Sequence, residues 1–174
     1  MRRVLNKHGE IKSAFDSYMG TLKQTEARRD LWKSETKDKL LDTLSLIEKD
    51  FEFDWHVQKI DLMDNYQTVN ISCNNKNSGI VEREIDLDTG KIKRSKAHVK
   101  RGGYLAYCQS YNGKINVIVG FPSIDELVDE KEVKVIANIE PKQLTEELIS
   151  EQVIEFLKLL SDWEGMDRAP IGFK

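Results

Sequence analysis

The residues of this chain most suited to chemistry lie between Lys91 and Arg101. The run reads Lys-Ile-Lys-Arg-Ser-Lys-Ala-His-Val-Lys-Arg: six lysines or arginines, one histidine and no acid. The whole chain holds 27 bases and 30 acids, so the remainder carries 21 bases against 30 acids. A cationic segment in an anionic remainder makes a local positive field and draws phosphate, nucleic acid or an acidic protein surface. Lys96, His98 and Lys100 alternate with Ala97 and Val99 and share one strand face, and Arg101 closes the run. Gly102-Gly103 would let the backbone approach a ligand closely. Tyr104 and Tyr107 follow, and basic groups beside aromatic rings are how single-stranded nucleic acids are commonly held. Lys96, His98, Lys100, Arg101 and Tyr104 are therefore the candidate anion-binding set.

A structural reading competes with this one. Asp88-Thr89-Gly90-Lys91 has the form of a turn with a left-handed Gly90, which would close a hairpin. Glu82, Glu84, Asp86 and Asp88 would then stand across from the bases. Cross-strand pairs of this kind contribute a few tenths to about 1 kcal/mol each and neutralise part of the field. On this reading Lys91 and Lys93 are neutralised first, and Lys96 to Arg101 extend past the pairing.

Other chemistries have thinner support. Cys73 shares an apolar face with Val69 and Ile71, and Cys108 shares one with Ala106, so both read as small buried hydrophobes. His8, His56 and His98 are scattered. His56 alternates with Trp55 and faces away from that strand's apolar side, towards a polar cleft or solvent. Glu52, Asp54 and His56 would form an acid–base pocket only if that face were concave. There is no Cys-x-x-Cys, no His-x-x-x-His and no calcium-type loop, so neither metal nor cofactor is expected. Gly102-Gly103 lacks the lysine and serine of a phosphate loop. No zinc-finger, helix-turn-helix or RNA-binding signature is present. Glu147, Glu151 and Glu155 repel at successive i+4 positions, which suits a solvated face or a basic partner surface such as the basic strand of a second copy.

Periodicity locates the elements that must position these residues. Ile11, Phe15, Tyr18 and Leu22 step by 4, 3 and 4, and so do Leu40, Leu44, Ile47 and Phe51. The two stripes do not join in one heptad frame. The spacing predicts two helices, 9–33 and 35–49, with Ser34 as N-cap between them. The alternative is one long helix projecting from the body and needing a partner to cover it. Period-two alternation then predicts strands over 51–57, 66–73, 80–87, 92 onward, 104–111, 114–121 and 131–139. Asn112-Gly113 marks a tight hairpin. Ser123-Ile124-Asp125-Glu126 fits a capping box and predicts a short helical turn over 123–128. Ile149, Val153, Phe156, Leu160 and Trp163 place one face of a long last helix that Gly165 ends.

The order of helices, then strands, then a helix predicts an α+β fold. Its antiparallel sheet is a meander of about six or seven strands. N-terminal helices and one long C-terminal helix pack on one face. At 174 residues with 39% apolar content, the chain forms one domain spanning 1–174, with 1–10 and 166–174 as flexible ends. No secretory signal and no membrane-spanning run is visible, which predicts a soluble cytoplasmic protein without membrane contact. The leading expectation is a non-catalytic binding protein that holds an anionic partner, nucleic acid or an acidic protein, at 91–101. One alternative is a small-molecule binding protein or enzyme with a cavity between the last helix and the sheet, walled by Phe53, Trp55 and Trp163. The other is a homodimeric adaptor joined through the N-terminal helices.

Overall fold

The computed structural model describes residues 7–61, 63, 66–124, 127 and 132–166. The N-terminal stripes belong to one uninterrupted helical rod. Helix α1 (His8–Leu31) runs into a π-helical turn, Trp32–Thr36, and on into α2 (Lys37–Asp50). Ser34 thus lies inside the π turn and caps nothing, which corrects the expectation of two separate helices. The misfit between the stripes explains the turn. Extending the heptad frame from Leu22 through Trp32 and Thr36 would put the next core positions at residues 39 and 43. The buried residues are Leu40 and Leu44. One extra residue must be absorbed, and a π turn does so by bonding i to i+5: the Lys37 N–H donates to the Trp32 carbonyl.

Among the described residues, only the rear of α1 touches the body. A Cβ at Gly113 (φ +79°) would lie 2.6 Å from the Arg28 Cβ, so glycine lets the Asn112-Gly113 turn seat directly under the helix. Arg28 donates to both carboxylate oxygens of Glu140, from Nε at 2.5 Å and from Nη2 at 2.8 Å. Arg29 donates to the Tyr111 carbonyl. Forward of Thr25, α1 overhangs the body, with Ile11, Phe15, Tyr18 and Leu22 exposed.

The body is α+β. A five-stranded antiparallel sheet runs in the order β1 (Trp55–Ile60), β2 (Thr68–Cys73), β5 (Tyr104–Gln109), β6 (Ile115–Gly120), β8 (Val133–Ile139). The 3₁₀ turn Pro141–Gln143 and helix α3 (Glu146–Gly165) follow, with Thr145 Oγ1 capping α3 by accepting from the Leu148 N–H at 3.1 Å. The core holds Trp32, Leu40 and Leu44 from the rod and Ile149, Val153 and Phe156 from α3. The inward-facing residues of the central strands, such as Ile71, Leu105, Tyr107 and Val117, complete it.

Three local expectations are corrected. The predicted single sheet is two. Strands β3 (Lys76–Ile85) and β4 (Ile92–Arg101) leave the main sheet as a hairpin, joined by the two-residue β7 (Ser123–Ile124). β2 and β5 pair as if that hairpin were an insertion, because the Cys73 N–H donates to the Gly103 carbonyl at 2.9 Å and zips its base. The predicted helical turn at 123–128 begins instead as β7, paired with Lys100 and Arg101; residues 125, 126 and 128 lie outside the described residues. Strand β1 starts at Trp55, leaving Phe51 and Phe53 exposed ahead of it. Among the described residues no helix is long and apolar enough to cross a membrane.

Candidate functional site

One row of residues crosses the sheet on the face away from the helices. His56 pairs with Ser72, Ser72 with Tyr104, Tyr104 with Gly120 and Gly120 with Val133. Direct antiparallel partners share a face, so the row is contiguous across all five strands. A Cβ at Gly120 would lie 2.2 Å from the Tyr104 ring, so glycine is what lets the ring lie flat across β6. Arg101 and Ser123, paired between β4 and β7, stand over the row together with the Asn74-Asn75 turn. These groups, with Glu132 at the start of β8, enclose a cleft of about 360 Å³.

The cleft is polar and its groups are held. Ser72 Oγ lies 3.3 Å from His56 Nε2. His56 Nδ1 is buried with no hydrogen-bond partner among the described residues. Asn74 is fixed by donating to the Asp54 carboxylate, and Asn75 Oδ1 accepts from the Gly102 N–H at 3.4 Å. Asp54 is therefore engaged at Asn74 and at Lys76, 3.8 Å away, and Glu52 is exposed. The acid–base trio expected on a concave strand does not assemble, because β1 begins only at Trp55.

A serine beside a histidine suggests nucleophilic chemistry, which requires the histidine to be oriented by a third group and the nucleophile to be raised towards substrate. Here no such group engages Nδ1 among the described residues, and Ser72 lies flat in a regular ladder between β1 and β5. Cys73, next to Ser72 but paired with Trp55 on the core side of the sheet, is held as a neutral thiol: burial pushes its pKa up to about 11. Burial also raises the Cys108 thiol. The arrangement can grip a polar ligand, and among the described residues no third group orients His56 towards Ser72.

The structure divides the sequence-predicted anion set. Arg101 and Tyr104 line the cleft. The other three lie along the hairpin, whose β3 strand opposes acids to bases as far as Glu82 and ends at Lys76, opposite Lys100. Lys96 stands opposite Glu82, and Arg94 opposite Glu84. Lys93 Nζ is 3.2 Å from Asp86, whose carboxyl the Thr89 N–H and then Lys93 hold below the usual range. His98 is 3% exposed, with Nε2 3.5 Å from Glu82. Lys100 pairs with Glu164 and lies 5.2 Å from the centre of the Trp163 ring. Gly102-Gly103 serves chain packing: a Cβ at Gly102 would lie 2.0 Å from the Cys73 carbonyl oxygen.

The three predicted cavity-wall residues also separate. Phe53 and Trp55 meet edge to face, 5.2 Å apart, and line an apolar groove of about 470 Å³ between α2 and α3 with Ile47, Phe51, Ile154 and Leu157. Trp163 is buried under Lys100 and is not among the groove's lining residues. Ser72, Asn74, Asn75, Ser123 and Glu132 were not singled out by the sequence. Their common location follows from strand register, and the only local signal was the turn-forming Asn74-Asn75 pair. Among the described residues no group of three or more His, Cys, Asp or Glu is placed to hold a metal ion. No family model, no curated protein and no solved structure matches this chain.

Proposed function

We propose that this protein is a non-catalytic binding protein that holds a small anionic molecule, a carboxylate or phosphate compound, in the cleft at the end of the main sheet. The observation that carries the reading is the convergence of His56, the Asn74-Asn75 turn and the Arg101–Tyr104 segment, from three separate parts of the chain, on one polar cleft. Arg101 supplies a planar fork of donors suited to carboxylate and phosphate oxygens. Ser72, Asn74, Asn75 and Ser123 supply neutral hydrogen bonds, and the Tyr104 ring forms a wall. Glu132 favours a ligand with a donor or cationic group beside its anion. The volume of about 360 Å³ suits a small metabolite and is near the lower end for ligand pockets.

The same geometry argues against an extended polyanion along 91–101, because Glu84 and Glu82 stand opposite Arg94 and Lys96, Asp86 lies beside Lys93 and Glu164 beside Lys100. The test is a thermal-shift and calorimetric panel of inorganic phosphate, small phosphate esters and short dicarboxylates, beside single-stranded oligonucleotides, at 50 and 200 mM salt. Binding to a panel member should disappear in Arg101→Met and in Gly120→Ala, which evicts the Tyr104 ring, and should survive in Lys96→Glu/Lys100→Glu. Oligonucleotide binding that falls with salt, survives Arg101→Met and vanishes in the lysine double variant would transfer the function to the hairpin and refute the cleft reading.

A further inference from the structure

Outside the cleft lies an apolar trough whose charge is gathered at one end. The groove between α2 and α3, about 470 Å³, has no charged residue in its lining. It adjoins a second recess of about 370 Å³, with which it shares Phe53 and Leu157. That recess carries Lys76, Lys100 and Glu164 around Leu160 and Pro122. From Ser150 to Glu164, the α3 wall of the two recesses is 14 residues, about 21 Å. Phe53 and Leu157 are exposed, so the recesses meet at an open boundary.

The charged end is cationic. Lys76 and Lys100 are direct cross-strand partners at the base of the hairpin, and like charges directly opposite one another repel. Lys100 pairs with Glu164. Lys76 is 3.8 Å from Asp54, whose carboxylate also accepts from Asn74, and its side chain is 55% exposed. The lining itself thus holds two cations and one anion. The other acids of α3 do not reverse this sign. At about 100° per residue, the α3 lining residues fall within about 60° of Leu157, whereas Glu147, Glu151 and Glu155 lie about 80–160° away.

An apolar trough with a cationic end fits a ligand of the complementary form, an acyl chain ending in a single anion. We infer that the joined recesses bind a long-chain fatty acid, its carboxylate between Lys76 and Lys100 and its chain along α3, past Leu157 towards Ile154 and Phe51. Burial of the chain supplies the affinity, and the lysine pair fixes which end of the ligand lies at the hairpin base. The site is independent of the polar cleft, since neither Arg101 nor His56 lines it.

Calorimetry and tryptophan fluorescence with dodecanoate, kept below its micelle concentration, test this; Trp55 lines the groove and reports its filling. One dodecanoate should bind per chain, and dodecanol should bind more weakly. Lys76→Gln should weaken dodecanoate roughly tenfold, the loss of one charge-assisted contact, and leave dodecanol unchanged. Lys158→Gln, an equal charge change at an exposed α3 position outside the lining, should alter neither. Ile154→Asp/Leu157→Asp should abolish both, with circular dichroism unchanged because both residues are exposed. The inference is overturned by the absence of binding, by dodecanol bound as tightly as dodecanoate, or by equal effects of Lys76→Gln and Lys158→Gln. Several dodecanoates per chain that no variant displaces would also overturn it, as mere coating. So would a dimeric wild type, by light scattering, that dodecanoate fails to dissociate and Ile154→Asp/Leu157→Asp breaks, which would put a second copy in the groove.

Discussion

Deleting Ser34 should leave this protein folded, although the deletion falls in the middle of a 43-residue helical rod. Ser34 is exposed within the π turn, and that turn holds the one residue too many that separates the Trp32 frame from the Leu40 frame. Removing a residue there converts the i to i+5 bonds into i to i+4 bonds and keeps both frames pointed at the core. The expected cost is within about 1 kcal/mol, the scale of a change at an exposed site. Deleting Asp42, also exposed, is the control. It rotates everything before it by about 100° relative to Leu44 and Ile47. Trp32 and Leu40, both fully buried, would leave the core. Losses of roughly 3–5 kcal/mol for a tryptophan and 2–5 kcal/mol for a leucine sum to about 5–10 kcal/mol, comparable to the whole stability of a domain. Urea denaturation followed by far-ultraviolet circular dichroism reads both variants. If the Ser34 deletion is as damaging as the Asp42 deletion, the π turn is not a phase correction and the reasoning fails.

Two further outcomes follow from ionisation. With Cys108 changed to serine, iodoacetamide should modify Cys73 at pH 8 roughly 200-fold more slowly than free cysteine, because a thiol at about 11 is almost wholly protonated there. The rate should rise about tenfold per pH unit, and a rate equal to that of free cysteine would show that Cys73 is not buried as described. Arg28, by hydrogen bonds, holds the Glu140 carboxyl below the ordinary value of 4.5. A depressed carboxylate stabilises the fold above its unfolded pKa, and that contribution is lost as pH falls through the folded one. Arg28→Ala should therefore lower Tm at neutral pH and flatten the fall of Tm below about pH 4.5; parallel curves for wild type and variant would exclude the coupling.

What sequence determined here is local. Periods of 3.6 and 2 depend on which face of an element avoids water, so the helices, most of the strands, the Gly90 and Gly113 turns and the α+β order were legible. The failure of the two N-terminal stripes to share a frame was also legible, and pointed to a break where the chain makes a π turn. That acids would meet part of the basic run was readable, because the two are separated only by a tight turn, but Lys96, expected to extend past the pairing, stands opposite Glu82. What tertiary structure decided is everything that depends on distant register. That the β3–β4 hairpin leaves the main sheet follows from Cys73 bonding to Gly103 across 30 residues of chain. That His56, Ser72 and Tyr104 stand in one row, with Arg101 above them, follows from strands pairing in one register, since a slip of one residue would send each side chain to the other face. Local propensity contains no term for that choice. It is settled in the folded core, where Trp32, Tyr107 and Phe156, distant in the chain, are buried together.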